Sequence, residues 1–301
     1  MIAGALALAT MLGAAGVATA GRETCVGAAA RDPVHPCTNL SQKVSPPKGS
    51  IALYPSTFNC RPTRQHPQPL CAFGVSASRA RATVALIGDS HAQHWRAALE
   101  VVAQARRWRA FSLTIARCPF SAAVANLPSS QRRTCVTWYA TVRRWLRDHP
   151  EVSTVFVSQR SATAVRAPGR TELEIKRSGF MRAWRTLPKT VRRVVILRDV
   201  PDPLDGTFAC VDAVVATGSP PLAQACPSPR AAALRPDPAV AAVRALHARR
   251  YRVIDLSSLF CAPSQCFPVI GGLQVYYDVT GHITQAYMKT VGPYLLRRMG
   301  G

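Results

Sequence analysis

The stretch that decides the fold is Thr83–His91, with the sequence TVALIGDSH. Its first five residues form a short, continuous, largely apolar run, which predicts a strand buried on both faces of a sheet. Gly88-Asp89-Ser90 follows at once, and a helical pattern then continues to about residue 106 with Trp95 and Leu99 on one face. A strand that leads directly into a helix in this way places Ser90 at the carboxyl edge of the sheet.

The alternation of strand and helix patterns continues to the end of the chain. Residues 199–235 interrupt it and, being rich in proline, are expected to form a long loop. Alternation of this kind predicts an α/β fold with a parallel sheet of about five strands, covered by helices on both faces. Active sites in such folds lie at the carboxyl ends of the strands. The further expected strands are Phe111–Ile115, Val152–Val157, Val191–Leu197 and Arg252–Leu256, and the further helices lie near 135–148, 171–187, 238–249 and 283–298.

Residues 1–82 do not show this alternation. Residues 2–20 are apolar or small and uncharged, and Ala18-Thr19-Ala20 is typical of a cleavage site. We expect residues 1–20 to be a signal peptide or a membrane anchor, since about 20 apolar residues span a bilayer. Residues 21–82 contain four cysteines and little periodicity, and we expect an irregular, disulfide-stapled extension ahead of a main domain at 83–301.

Ten cysteines lie along the chain as five consecutive couples. Their even number and the absence of any C-x-x-C spacing favour disulfides in an oxidising, extracytoplasmic compartment over a zinc site. A set of free buried thiols is the alternative. The sequence does not fix the connectivity, but pairing of consecutive cysteines gives the shortest loops, and we expect the bonds Cys25–Cys37, Cys60–Cys71, Cys118–Cys135, Cys210–Cys226 and Cys261–Cys266.

The composition is strongly basic, with 38 Lys and Arg against 15 Asp and Glu and a formal net charge of +23. This balance is typical of a protein that works beside an anionic surface, such as membrane headgroups or a phosphate-bearing wall polymer. The alternative is an arginine-rich composition spread over a solvated surface. Nucleic acid is not an expected partner, because the basic residues do not alternate with aromatic ones and no nucleic-acid-binding motif is present.

Ser90 is the candidate nucleophile, because free amide groups at a helix N-terminus can stabilise an oxyanion. A serine hydroxyl reacts only when a base removes its proton. Among seven histidines, only His282 follows a strand-like run, Gln274–Tyr277, and lies close to an acid, Asp278. We expect Ser90 to attack, His282 to act as base and then acid, and Asp278 to orient the imidazole. The alternative is a solvated serine and histidine without a catalytic role.

Two blocks of sequence resemble a known family. Gly88-Asp89-Ser90-His91 resembles the first signature block of the SGNH hydrolases, and Asp278 with His282-Ile283-Thr284 resembles their last block. The closest similarity is to SGNH domains fused to membrane acyltransferases of acyltransferase family 3, which O-acylate cell-surface glycans. Further similarities to that subgroup are Cys25–Ala30 ahead of Cys37, Cys118-Pro119, Cys135 with Trp138, Asp199-Val200-Pro201, and Cys261 with Cys266.

The resemblance implies a three-layer α/β/α, flavodoxin-like SGNH hydrolase fold, and the chain departs from the family pattern in two places. Three residues separate Asp278 from His282, where the family has two. The Gly and Asn of the two middle blocks, which donate to the oxyanion, are replaced by Arg117-Cys118-Pro119 and Ser158-Gln159-Arg160. The backbone N–H of Ser90 is then the expected oxyanion donor, with the Arg160 side chain as a second candidate.

These observations leave three functions open. The first is transfer of an acyl group, acetyl above all, to a cell-surface or cell-wall glycan through an acyl-serine, together with a polytopic membrane acyltransferase. The second is an esterase that removes such groups. The third is a non-catalytic basic domain that binds an anionic polymer or membrane. No metal or other cofactor is implied, because the serine chemistry needs none and no phosphate-binding loop or ligand spacing is present.

Overall fold

The computed structural model of the chain describes residues 25–35, 37–39, 43–55, 60–63, 66–166 and 168–300. The signal peptide or anchor expected at residues 1–20 lies outside these ranges. Within them, no helix combines the length and the apolar character needed to cross a membrane.

Strands and helices alternate through most of the described chain. The strands are β1 Cys60–Thr63, β2 His66–Gly74, β3 Ala82–Gly88, β4 Trp108–Thr114, β5 Val152–Ser158, β6 Arg193–Leu197, β7 Ser228–Pro229, β8 Tyr251–Ile254, β9 Gln265–Cys266, β10 Val269–Ile270 and β11 Leu273–Gln274. The helices are α1 Ser90–Arg106, α2 Ser129–Asp148, α3 Glu172–Arg185, α4 Thr207–Thr217, α5 Arg230–Ala233, α6 Pro238–Leu246 and α7 Gln285–Arg298.

One sheet organises the molecule. It contains seven strands in the order β1-β2-β4-β3-β5-β6-β8. The five strands from β4 to β8 in this order are parallel, which confirms the predicted parallel sheet, while β1 and β2 add an antiparallel hairpin at one edge. The chain moves from β3 to β4 on one side and later to β5 on the other. The carboxyl end of β3 is therefore a switch point, where α/β folds form their binding crevices.

Two apolar clusters cover the two faces of the sheet, as the three-layer prediction requires. Val84 and Leu86 of β3 face α1 and α7, whereas Ala85 and Ile87 face α2, α3 and α6. Leu86 and Ile87 are completely buried, and each such side chain stabilises the fold by roughly 1.5–3 kcal/mol. The uninterrupted apolar run of β3 thus follows from its central, doubly covered position.

The segment expected to be an irregular extension contains β1 and β2, so that description is wrong for Cys60–Thr63 and His66–Gly74. The prolines of this segment are untypical of strands, so the sequence pattern did not predict β1 and β2. Pro67 and Pro69 lie in the half of β2 that pairs only with β1, while residues 71–74 alone pair with β4. Proline is compatible with a strand that has a neighbour on one side only, because alternate N–H groups there face away from the ladder. The domain boundary at residues 82–83 stays a prediction.

The long loop expected at 199–235 is also wrong in part, because it contains α4 and α5. Only Thr207 and Val214 of α4 are buried, so the helix has almost no apolar stripe for a periodicity argument to find. The helix expected near 135–148 begins earlier, at Ser129, with a polar first turn. Of the expected strand Gln274–Tyr277, only Gln274 belongs to a strand, the two-residue β11, while Tyr276 makes an isolated bridge to Ile283.

Five disulfide bonds join cysteines that are consecutive in the sequence, as expected. Two of them fasten elements beside the sheet. Cys60–Cys71 crosses the β1–β2 hairpin, and Cys118–Cys135 ties the segment after β4 to α2. The other three are Cys25–Cys37, Cys210–Cys226 and Cys261–Cys266.

Candidate active site

Ser90 is the first residue of α1 and directly follows β3, at the carboxyl edge of the sheet. Gly88 makes the turn between the two elements possible. Its φ is +152°, and a Cβ atom at this position would lie 1.8 Å from the carbonyl oxygen of Ser158. Only glycine allows the ends of β3 and β5 to approach so closely. The half-buried Ser90 side chain therefore stands beside residues 158–160.

Asp89 is the N-cap of α1, and it has a structural role. Its carboxylate accepts hydrogen bonds from the backbone N–H of His91 at 2.9 Å and of Arg160 at 3.0 and 3.2 Å. Burial raises the pKa of Asp89, although the charge of His91 and these hydrogen bonds act against the rise. The backbone N–H groups of residues 91–93 are all satisfied by Asp89. The N–H of Ser90 makes no hydrogen bond to any described residue, so it is free to bind an oxyanion.

His282 and Asp278 form a close pair. Nδ1 of His282 lies 2.6 Å from Oδ2 of Asp278. Burial raises the pKa of Asp278, but hydrogen bonds from His282 and Thr280 outweigh it and lower the pKa to about 2. The ring of Tyr277 stacks on the His282 imidazole, with 5.3 Å between centroids and 12° between planes. The pair is thus held in one orientation, with an ionised carboxylate at neutral pH.

The imidazole of His282 lies beside the first turn of α1. The ring centroids of His282 and His91 are 5.3 Å apart, and the N–H of Ile283 donates to Nδ1 of His94 at 3.3 Å. Nε2 of His282 is buried and has no hydrogen-bond partner among the described residues. Ser90 Oγ is therefore not within hydrogen-bonding distance of this nitrogen, although the same loop and helix bring both residues to one edge. Such contacts are often long in enzymes without substrate.

The additional residue between Asp278 and His282 is accommodated by a tight turn. Gly281 has a φ of +83°, and its N–H donates to the carbonyl oxygen of Asp278 at 3.4 Å. A Cβ atom on Gly281 would lie 2.5 Å from Oδ1 of Asp202. Glycine is thus required at this position both by the backbone conformation and by the close packing.

The Arg160 side chain, the second candidate oxyanion donor, points to a carboxylate in this structure. Its Nη2 lies 3.4 Å from Oδ1 of Asp202, whose other oxygen lies 3.4 Å from Nε of Arg235. The backbone of Arg160 is fixed by Asp89, next to Ser90. Its neighbour Gln159 is almost completely buried, and neither polar atom of its side-chain amide has a partner among the described residues. No motif or periodicity in the sequence singles out Gln159.

A buried polar network surrounds His91, next to the candidate nucleophile, and the sequence did not predict it. His91 lies between the carboxylate of Asp199, at 2.7 Å, and the carbonyl oxygen of Thr280, at 3.1 Å. The N–H of Asp199 donates to Asp237 at 2.9 Å. Burial lowers the pKa of His91, but the charge and hydrogen bond of Asp199, together with the charges of Asp89 and Asp202, outweigh burial and raise the pKa to about 9. Burial and the charge of Asp199 raise the pKa of Asp237 to about 6.

Known proteins resemble the chain in sequence and in fold. The SGNH domain family described as fused to AT3 domains matches residues 59–297. No curated protein matches the chain. Among solved structures, the Salmonella ser. Paratyphi A lipopolysaccharide acetyltransferase periplasmic domain has a similar fold, with a TM-score of 0.54 at 12% identity, covering 75% of this chain and 90% of that one.

The sequence match extends over well more than half of the chain and includes both blocks that carry the predicted nucleophile, base and acid. The structural match supports the same three-layer fold, without reference to any activity. The chain therefore belongs to the family of SGNH domains that are fused to AT3 domains.

Proposed function

We propose that the chain is an exported enzyme that transfers an acyl group, acetyl above all, to or from a cell-surface glycan through an acyl-serine at Ser90. The observation that carries the proposal is the 2.6 Å pair of Asp278 and His282, whose imidazole lies beside the first turn of the helix that begins with Ser90 and whose Nε2 has no partner among the described residues. Membership of the SGNH family supports an acyltransferase or esterase type of enzyme. The similar solved structure is the periplasmic domain of a lipopolysaccharide acetyltransferase, which supports an extracytoplasmic location and a glycan acceptor.

In the first step, Nε2 of His282 takes the proton of Ser90 Oγ as this oxygen attacks the acyl carbonyl carbon. The electron pair of the carbonyl bond moves to oxygen, and the backbone N–H of Ser90 donates a hydrogen bond to the resulting oxyanion. The carbonyl then re-forms and the bond to the leaving oxygen breaks. That oxygen receives the proton from His282, and an acyl ester remains on Ser90.

In the second step, His282 removes a proton from an acceptor hydroxyl, which attacks the acyl-serine. The bond to Ser90 Oγ breaks, and Oγ takes back its proton from His282. A sugar hydroxyl as the acceptor gives a transferase, and water gives an esterase. Asp278 stays ionised throughout and stabilises the imidazolium that forms in each step. A polytopic membrane acyltransferase is the proposed donor-side partner, since the family is described as fused to AT3 domains.

The choice between transfer and hydrolysis is tested by following the fate of the acyl group. The full chain is incubated with p-nitrophenyl acetate, with and without a glycan acceptor, and the products are separated by mass spectrometry. We expect acetate on the Ser90 peptide without acceptor, and acetylated glycan when acceptor is added. Free acetate as the only product at saturating acceptor would establish the esterase. A Ser90 peptide that never carries acetate would exclude the acyl-serine route.

A second, anion-binding role is favoured by a cluster of arginines at the amino edge of the sheet, opposite Ser90. A cavity of about 640 Å³ is lined by Arg192, Arg193, Arg249 and Arg250, and an adjoining one of about 340 Å³ adds Arg106 and Arg252. No carboxylate lines either cavity, and none of these six arginines forms an ion pair with a described residue. We propose that this arginine cluster binds the phosphates of a surface polymer.

Replacing three exposed members of the arginine cluster should weaken this binding. We expect Arg192→Gln/Arg193→Gln/Arg249→Gln to bind inorganic polyphosphate about tenfold more weakly at low salt, since three exposed ion contacts are together worth on the order of 1–2 kcal/mol. Fluorescence anisotropy with labelled polyphosphate measures the affinity. The matched control, Arg133→Gln/Arg144→Gln/Arg147→Gln, removes equal charge from exposed positions on α2. Equal weakening by both triple variants would show that net charge alone acts.

A further inference from the structure

We propose that His91 is a positioning residue of this site, whose doubly hydrogen-bonded ring latches the turn that carries Asp278 and His282 onto the first turn of α1. The inference rests on the proposed function and adds to it a residue that touches neither substrate nor nucleophile. It also gives the additional residue between Asp278 and His282 a purpose.

The hydrogen bonds of His91 require a proton on both ring nitrogens. Its side chain is completely buried. Nε2 lies 3.1 Å from the carbonyl oxygen of Thr280, which can only accept, so this nitrogen must donate. Nδ1 lies 2.7 Å from Asp199. The Asp199 carboxylate also accepts from the N–H groups of Ser161, at 2.6 Å, and Val200, at 3.0 Å, so both of its oxygens act as acceptors. The ring is therefore an imidazolium.

Thr280 transmits this anchoring to the catalytic pair. Its N–H and its hydroxyl both donate to Oδ1 of Asp278, at 2.9 and 2.8 Å. The same hydroxyl lies 2.9 Å from Nδ1 of His282. His91 holds the carbonyl of Thr280, and the rest of Thr280 touches both members of the pair. A shift of this one residue would displace the carboxylate and the imidazole together.

The length of the turn makes the latch possible. Gly281 takes a left-handed backbone conformation, with a φ of +83°, immediately after Thr280. The carbonyl of Thr280 is thereby directed inward to His91, while its side chain remains with Asp278. Asp202 packs against Gly281 and closes the turn from the other side. The three-residue spacer and the histidine after Ser90 thus form one device, contributed by positions 189 apart in sequence.

The groups that face His91 favour its charged form. Asp199, Asp89 and Asp202 raise the pKa of His91, and together they outweigh burial and bring it to about 9. His94 and His282, with ring centroids 5.1 and 5.3 Å away, are the other titratable groups around it. Because the folded pKa lies above the ordinary value near 6.5, the ring keeps both protons in the folded protein until the pH approaches 9; its contribution to stability is complete below pH 6.5 and is lost as the pH rises through 9.

The protonation of His91 is tested directly by NMR, independently of any activity. In the full chain labelled with ¹⁵N-histidine, the His91 resonances are assigned by their loss in His91→Asn. We expect both ring nitrogens of the wild-type protein to have the shifts of protonated nitrogens at pH 7.5, and to change together near pH 9. A neutral tautomer of His91 at pH 7.5 would overturn the proposal.

The positioning role is tested by kinetics with p-nitrophenyl acetate as the probe. Since small misplacements of catalytic groups cost about 100-fold, we expect kcat of His91→Asn to fall by about that factor with KM within about threefold. The wild-type rate should also decline above pH 9, and this limb should disappear in His91→Asn. The control is His247→Asn, at an exposed position that tolerates asparagine. An unchanged rate and pH profile in His91→Asn would refute the role. Wild-type protein without any Ser90 acylation would refute the proposed function instead, whatever the NMR result.

Discussion

Replacing Ser90 with alanine is expected to abolish acyl transfer, with kcat at least about a thousandfold below the wild-type value. The Ser90 hydroxyl supplies the bond that carries the acyl group, and alanine has no atom that can form this bond. Its side chain makes no hydrogen bond to a described residue, so stability should not change. The measurement is release of p-nitrophenol, together with the mass of the acylated peptide and the melting temperature.

Ser258→Ala is a suitable control for this prediction, because Ser258 is an exposed serine at a distance from the switch point. It should behave as the wild-type protein does. Equal rates for Ser90→Ala and the wild-type protein would show that the nucleophile is another group. A Ser90→Ala protein that melts much lower would show that the hydroxyl has a structural role in the α1 turn.

Asp278→Asn is expected to lower kcat by about 10³- to 10⁴-fold while leaving KM nearly unchanged. The carboxylate keeps the proton on Nδ1 of His282 and stabilises the imidazolium, and an amide can do neither. Since the pKa of Asp278 is lowered to about 2, the carboxylate is ionised above this pH, and its support of the fold is lost only as the pH falls from 3.8 through 2. Separate kcat and KM values for Asp278→Asn check the first statement, and the melting temperature of the wild-type protein between pH 2 and 5 checks the second.

Asp205→Asn removes the same charge at an exposed position and is the matched control. It should retain the wild-type rate. A loss of less than about tenfold in Asp278→Asn would argue against an orienting role for this carboxylate. The Thr280 hydroxyl, at 2.9 Å from Nδ1 of His282, would then be the group that orients the ring.

The sequence predicted those parts of the fold that have local, periodic signals. β3 and the start of α1 could be placed from residues 83–91 alone, because a doubly covered strand needs an uninterrupted apolar run. The pair of Asp278 and His282 could be proposed from its nearness in sequence. In each case the residues that determine the local structure lie within a few positions of one another in the sequence, so a local sequence pattern is enough to predict it.

The remainder depends on contacts between distant segments. Pro67 and Pro69 argue against a strand, and only the pairing of β2 shows that they lie where it has a single neighbour, β1. His91 resembles any other residue of a first helical turn until Asp199 and Thr280 are brought to it. Gln159 is an ordinary polar residue in the sequence, and only its burial without partners draws notice to it. The periodicity of a sequence carries no information about such contacts between distant segments.

The two edges of the sheet differ in how their charges are paired, and this difference has a consequence for orientation. At the Ser90 edge, Asp199, Asp202 and Asp278 each have a basic partner, whereas the arginine cluster at the opposite edge makes no ion pair with a described residue. A negatively charged boundary therefore attracts the arginine edge. The molecule would then bind that boundary through its arginine edge. Its reactive crevice would face away from the boundary, where long chains that extend outward from the boundary can reach it.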